Sequence, residues 1–183
     1  MKIVLVSPKG PLYRHRGGIF KKNLRYAPLT LTTLAALIPR DLNAGVEILD
    51  EGVEDLDVDR IDADLVGITS TTGNSVRAYE LARALRARRI PVVIGGPHAT
   101  LVPDEAQPHV DCVVVGYAED TWPELLRDFA AGAMRSRYTM SPDLSLAGRP
   151  FPRRDLVKQH GYITTHVFET QRSCIHSCEL ALT

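Results

Sequence analysis

The chain has 183 residues, 44% of them hydrophobic and 24% charged, which suits one domain of ordinary size with a full core, plus a tail. Lys+Arg and Asp+Glu both number 22, so the chain lacks the basic excess that nucleic acid or an anionic membrane requires, and neither is an expected partner. No apolar run approaches the ~20 residues of a membrane span, and Met1 leads directly to Ser7-Pro8 without a signal pattern, so a cytoplasmic protein is expected.

Short β-branched runs alternate with helical patterns, the mark of βαβ units and a parallel sheet. The first strand is Lys2 to Val6. A long connection from Lys9 to Pro28 follows, rich in Lys, Arg and Gly, and longer than an ordinary strand-to-helix loop. A helix from Leu29 to Ile38 places Leu31, Leu34, Ala35 and Ile38 on one face, with Pro39 closing it. The second strand is Val46 to Asp50, and the acidic stretch Glu51 to Asp64 reads as a solvated connection without metal-ligand spacing. Strand three is Leu65 to Thr69. Helix two, about Ser75 to Arg88, buries Val76, Tyr79, Leu81, Ala82 and Leu85 and turns Arg77, Arg83, Arg86 and Arg88 to water. Strand four is Pro91 to Ile94 and strand five Asp111 to Val115, where Cys112 reads as a core residue. The last helix, Thr121 to Ala131, has Thr121 and Glu124 spaced as a capping box. The expectation is a Rossmann-like (flavodoxin-like) doubly wound α/β fold, with a mainly parallel five-stranded sheet and helices on both faces. This domain spans residues 1–135. A linker, rich in Pro and Ser over Ser141 to Pro152, covers 136–168, and Gly161 to Glu169 has the composition of one more strand.

In open parallel sheets ligands bind beyond the carboxyl ends of the strands. Three loops at that edge are built from small residues: Ser70-Thr71-Thr72-Gly73, Gly95-Gly96-Pro97-His98 and Gly116-Tyr117-Ala118-Glu119. Glycine admits a ligand close to the backbone, and Ser and Thr offer hydroxyls and amides. Any one of these is equally a tight strand-to-helix turn; three on one edge point to a binding site. No loop matches the dinucleotide or phosphate-loop fingerprints, which argues against NAD and ATP. His98 or Glu119 acting as acid or base is a weaker reading, because no nucleophile stands at definable spacing.

The succession of strand one with Ser7-Pro8, Ala27-Pro28-Leu29 opening a helix, Val66-Gly67-Ile68-Thr69-Ser70, Val93-Ile94-Gly95-Gly96-Pro97-His98 and Val114-Val115-Gly116-Tyr117-Ala118-Glu119 resembles the N-terminal cobalamin-binding domain of B12-dependent radical SAM enzymes. The resemblance covers residues 1–135, with the joining segment continuing to Arg172. It implies cobalamin as cofactor, with the corrin across the carboxyl edge. The nucleotide tail then passes along the loops after strands three, four and five, at Ser70, Thr71, Thr72, Gly95, Gly96, Pro97, His98, Gly116, Tyr117 and Glu119. The widespread B12 pattern Asp-x-His-x-x-Gly is represented only by Tyr13-Arg14-His15-Arg16-Gly17-Gly18, where Tyr13 replaces the Asp, so His15 as a cobalt ligand competes with a solvated surface histidine.

At the other end, Cys174-Ile175-His176-Ser177-Cys178 resembles the start of a radical SAM core, whose Cys-x-x-x-Cys-x-x-Cys holds a [4Fe–4S] cluster that binds S-adenosylmethionine. Cys174 and Cys178 match the first two positions, and Ala181 stands at the third. Two thiolates are too few for such a cluster. Residues 169–183 are therefore expected to be an incomplete start of that core, with cluster and S-adenosylmethionine only in a complete parent protein and a barrel supplied in cis or in trans. On this reading the polypeptide is a fragment or a truncated relative, not catalytically competent alone. A zinc site with His166 and His176 is disfavoured, since Cys-x-His-x-Cys crowds a tetrahedral centre. The alternative of a different class is a flavodoxin-like or receiver-like interaction domain binding no corrin. A receiver wants acids at the ends of strands one and three, where Ser7 and Ser70 stand, and a flavin site wants more flanking aromatics than Tyr13 and Tyr117.

Overall fold

The computed structural model describes residues 1–10, 26–143, 145–158 and 161–169. His15, Cys174 and Cys178 lie outside them. Six strands, β1 (Lys2–Ser7), β2 (Gly45–Asp50), β3 (Leu65–Thr69), β4 (Val92–Gly95), β5 (Cys112–Val115) and β6 (Arg137–Thr139), form one sheet in the order β2-β1-β3-β4-β5-β6. Every pairing is parallel. Central strands such as β1 and β3 are unbroken apolar runs because both faces of a wholly parallel sheet are covered.

Alternation along each strand divides the core in two. Ile3, Leu5, Leu65, Val93 and Val114 face α1 (Leu29–Ala36) and α5 (Thr121–Ala130). Val4, Val6, Val66, Ile68 and Ile94 face α2 (Ser75–Ala87) and the short helices α3 (Pro97–Leu101) and α4 (Pro103–Ala106). Cys112 is fully buried on the first side, and burial pushes its thiol up to about 12, so it is a small hydrophobe.

The doubly wound parallel architecture is as expected, with corrections of detail. The sheet has six strands, not five: β6 lies beyond residue 135, in the expected linker, and pairs Tyr138 with Val114. Three residues are too few to show a strand period. What holds β6 is the buried ring of Tyr138, whose hydroxyl donates to Asp128 Oδ2 at 2.6 Å and accepts the Arg135 amide at 3.1 Å. Gly161 to Glu169 forms no strand beyond a single parallel bridge between Tyr26 and Thr164. The linker instead braces α1: the Arg153 amide donates to Thr32 O at 2.9 Å, the Ala27 amide to Thr164 O at 3.3 Å, and Val157 enters the core.

Helix α1 ends at Ala36, short of Ile38. In α2, Val76 is 71% exposed rather than buried, and Arg77 turns inward to a carboxylate rather than to water. The capping box expected at Thr121 is absent: Asp120 is the N-cap, and the buried Thr121 hydroxyl has no partner among the described residues. The acidic stretch is not solvated throughout. Asp50 and Glu51 are buried at the carboxyl end of β2, where Asp50 accepts from the Gly52 amide and from Tyr162. Glu51 receives Arg77 at 2.6–3.1 Å and the Lys9 amide at 3.0 Å. Burial pushes its carboxyl up, but these hydrogen bonds and charges outweigh that and leave it below the usual carboxylate range.

Candidate cofactor-binding site

A cavity of about 300 Å³ opens at the carboxyl edge, on the face covered by α1 and α5. Its floor exists because small residues stand where the sheet would otherwise project side chains: Gly67 on β3, Gly95 on β4 and Gly116 after β5. A Cβ on Gly67 would meet Leu5 Cδ2 at 3.0 Å and the Trp122 ring at 3.3 Å. Val93 and Val114 complete the floor, Leu31 and Leu34 of α1 form one wall, and Trp122 of α5 forms the other. The indole is fixed by its N–H, which donates to Leu34 O at 3.1 Å and so ties the two wall helices together. Thr30, Thr69 and Thr100 place hydroxyls nearer the mouth, where the rim Gly96-Pro97 and Leu101 also stand.

The rim turns are locked to each other. The Ser70 amide donates to Gly95 O at 2.8 Å, and Ser70 O accepts the His98 amide at 3.1 Å. Gly96 has φ +98°, and a Cβ there would lie 2.8 Å from Ser70 O, so only glycine lets the two turns approach. Gly116 has φ +83°, its amide donates to Thr100 Oγ1 at 2.9 Å, and the Met140 side chain fills the space over it. The Tyr117 amide points at Met140 Sδ, 3.3 Å away.

Of the sequence-predicted site residues, Gly95, Gly96, Pro97, Gly116 and Tyr117 line this cavity. Ser70, Thr71, Thr72, His98 and Glu119 do not. Ser70 is wholly buried beneath the turn, Thr71 caps the short turn Thr72–Asn74, and Thr72 is exposed. His98 is directed to the other side of the sheet, with Nε2 3.1 Å from Tyr79 Oη and 3.3 Å from Glu105 Oε1, and Nδ1 3.4 Å from Thr72 Oγ1. Glu119 is buried, its backbone carbonyl accepting Arg149 at 3.2 Å. Sequence reasoning missed Leu31, Leu34, Gly67, Trp122 and Met140. Gly67 carried a readable signal, since a glycine inside a central strand marks a close approach to the backbone. The others form walls, and nothing in a helical apolar stripe separates a cavity wall from ordinary core.

Fit to a cobamide can be judged from this shape. At the lower end of the range for ligand clefts, about 300–1,000 Å³, the cavity is far too small for a corrin macrocycle and large enough for a nucleoside-sized appendage. A Cβ at Gly67 would crowd Leu5 and Trp122 at the floor of the cleft, whereas one at Gly95 would meet Val114 Cβ at an ordinary 3.6 Å. No helix of the described residues is long and apolar enough to cross a membrane, and no group of three or more His, Cys, Asp or Glu among them is placed to hold a metal ion.

Comparison with known proteins agrees with this geometry. The B12 binding domain profile matches residues 23–126, more than half of the chain. The chain is 41% identical over 110 residues to bacteriochlorophyllide d C-8(2)-methyltransferase of Chlorobaculum tepidum, covering 60% of this chain and 24% of that protein. It is 37% identical over 115 residues to the C-12(1)-methyltransferase of the same organism, covering 62% and 25%. It thus spans about a quarter of the length of these curated relatives. Its fold resembles that of the cobalamin-dependent S-adenosylmethionine radical enzyme OxsB, solved with aqua-cobalamin and S-adenosylmethionine, with a TM-score of 0.56, 15% identity, and coverage of 73% of this chain and 19% of that one. From the profile match over a parallel sheet with a glycine-floored cleft at its carboxyl edge, the chain belongs to the B12 binding domain family.

Proposed function

We propose that this chain is the cobalamin-binding module of a B12-dependent radical SAM enzyme of the methyltransferase type. The corrin lies on the carboxyl edge, and the nucleotide tail enters the cavity between α1 and α5. The observation that carries the reading is the cleft at the carboxyl edge of the sheet, lined by Gly67, Gly95 and Gly116 and walled by α1 and α5. Bound there, the cofactor supplies a cobalt centre able to accept and pass on a methyl group, the hard chemistry being the cofactor's own. The chain's part is to bind and orient. Gly96 and Pro97 let the ligand approach the rim, Leu31, Leu34 and Trp122 enclose the tail away from water, and the mouth threonines meet its polar portion.

Two further observations support the larger parentage. The relatives named above are methyltransferases about two and a half times this chain's length. Glu169 also lines the cavity mouth, so the chain passes the cofactor rim immediately before the segment with Cys174 and Cys178. The [4Fe–4S] cluster and S-adenosylmethionine are assigned to a complete parent protein, because the third position of the cysteine pattern is Ala181.

The test is to mix purified protein with hydroxocobalamin and remove free ligand by gel filtration. Corrin absorbance co-eluting with the protein is the expected result; a colourless protein peak at micromolar concentration overturns the reading. The same experiment with FMN returns a colourless peak.

A further inference from the structure

Helix α3 is five residues long, too short to hold its shape by its own hydrogen bonds. It is also divided between two environments. Pro97, Thr100 and Leu101 line the cleft, while His98 and Ala99 are buried on the face turned away from it. The placement of three cleft residues therefore depends on what grips the buried face. That grip is polar and runs through the His98 ring. Tyr79 of α2 donates its hydroxyl proton to Glu105 Oε1 of α4 at 3.3 Å. Burial, with the Glu105 charge added, pushes the Tyr79 phenol up to about 12, so the proton stays on Tyr79.

A carboxylate only accepts, so both groups facing it bring a proton. His98 Nε2, 3.3 Å from the same Glu105 oxygen and 3.1 Å from Tyr79 Oη, is therefore the protonated ring nitrogen. In the neutral imidazole Nδ1 is then an acceptor, and it stands 3.4 Å from the Thr72 hydroxyl, which donates to it. His109 stacks on the Tyr79 ring, with centroids 4.1 Å apart and planes within 14°, and steadies the phenol from outside. One buried ring thus joins α2, α4 and the turn after β3 behind the rim. Resting on the cofactor reading above, we infer that His98 is a positioning residue for cobalamin: through Glu105, Tyr79 and Thr72 it fixes Pro97, Thr100 and Leu101 at the cleft without touching the ligand itself.

The experiment titrates the full chain with hydroxocobalamin, followed by corrin absorbance, for the parent, His98→Leu and His98→Gln, and measures the urea midpoint of each in parallel. Leucine occupies the space of the ring and makes no hydrogen bond, whereas glutamine reaches the Nε2 position with an N–H. H98L is expected to bind at least about tenfold more weakly, the worth of one hydrogen bond to a charged group, and H98Q to recover most of that loss. A histidine that only fills the core would lower the urea midpoint and leave the affinity of H98L at the parent's value; that result overturns the inference. Equal weakening by leucine and glutamine overturns it as well, since the bulk of the ring and not its hydrogen bonds would then set the rim. Should H98L fail to fold, Glu105→Ala carries the same test, because Glu105 is exposed and outside the cleft. Weaker binding by folded E105A is expected, and parent-like binding overturns the inference. A parent that itself binds no corrin overturns the function proposed above and this inference with it, an outcome distinct from a parent and variants that bind alike.

Discussion

Glu51 is the residue whose chemistry the fold alters most clearly. Its side chain is 2% exposed, and Arg77, itself 28% exposed, covers it. The folded carboxyl titrates below its ordinary value of 4.5, so the pair stabilises the protein fully above that pH and loses its contribution as pH falls through the lowered folded value. Glu51→Gln should cost about 3 kcal/mol at neutral pH, the low end for breaking a buried pair because Arg77 keeps some access to water. The variant should also lose stability less steeply than the parent below pH 4.5; urea denaturation at pH 7 and at pH 4 checks both. Gly67 makes a second prediction. A valine there pushes its first carbon to within 3.0 Å of Leu5 and 3.3 Å of Trp122, so overpacking should cost about 1–3 kcal/mol, and the added methyls should narrow the cleft. Retained corrin absorbance after gel filtration should fall for Gly67→Val while the parent keeps its colour. Full retention by the variant would show that the floor of the cleft does not meet the ligand.

At the scale of elements, legibility follows length and period. β1, β3, β4 and β5 are apolar runs closed by small residues, and α2 has a full apolar stripe, so each declares itself. β6 does not, because besides its short ladder to β5 its place rests on one aromatic side chain and the two hydrogen bonds of its hydroxyl. Removing the Tyr138 hydroxyl therefore tests that strand: Tyr138→Phe should lose about 1.5–3 kcal/mol, the worth of a hydrogen bond to a charged group. The urea midpoint would drop with an unchanged slope. The same distinction explains the site. The glycine-rich rim loops could be read because glycine at a strand end has few other reasons to be there, and Gly95, Gly96 and Gly116 do line the cleft. His98 could not be placed, because the direction of a side chain after a tight turn depends on Gly96 adopting a positive φ and on Tyr79 and Glu105 waiting on the far side. Thr121 misled for a related reason. The spacing of a capping box was present, but Asp120 is the N-cap and Thr121 the first helical residue, which leaves that hydroxyl without a partner among the described residues.

For the whole molecule, the cleft lies within the same hydrophobic cluster that joins α1, α5 and the sheet, so ligand occupancy and folding are linked. Cobalamin at 100 times its dissociation constant should stabilise the chain by about 2.7 kcal/mol, read as a rise in melting temperature that grows with ligand concentration. A melting temperature indifferent to cobalamin would mean that the cofactor, if held at all, is held outside this core.

The brace on α1 has a consequence for how the molecule is made. One wall of the cleft is secured by Arg153 and Thr164, contributed more than a hundred residues after the helix they hold. A chain emerging amino end first has every main strand available by Thr139, yet it cannot clasp α1 until Thr164 has left the ribosome. Capture of the vitamin thus belongs to the closing moments of this region's synthesis, after the sheet has assembled around its first helix.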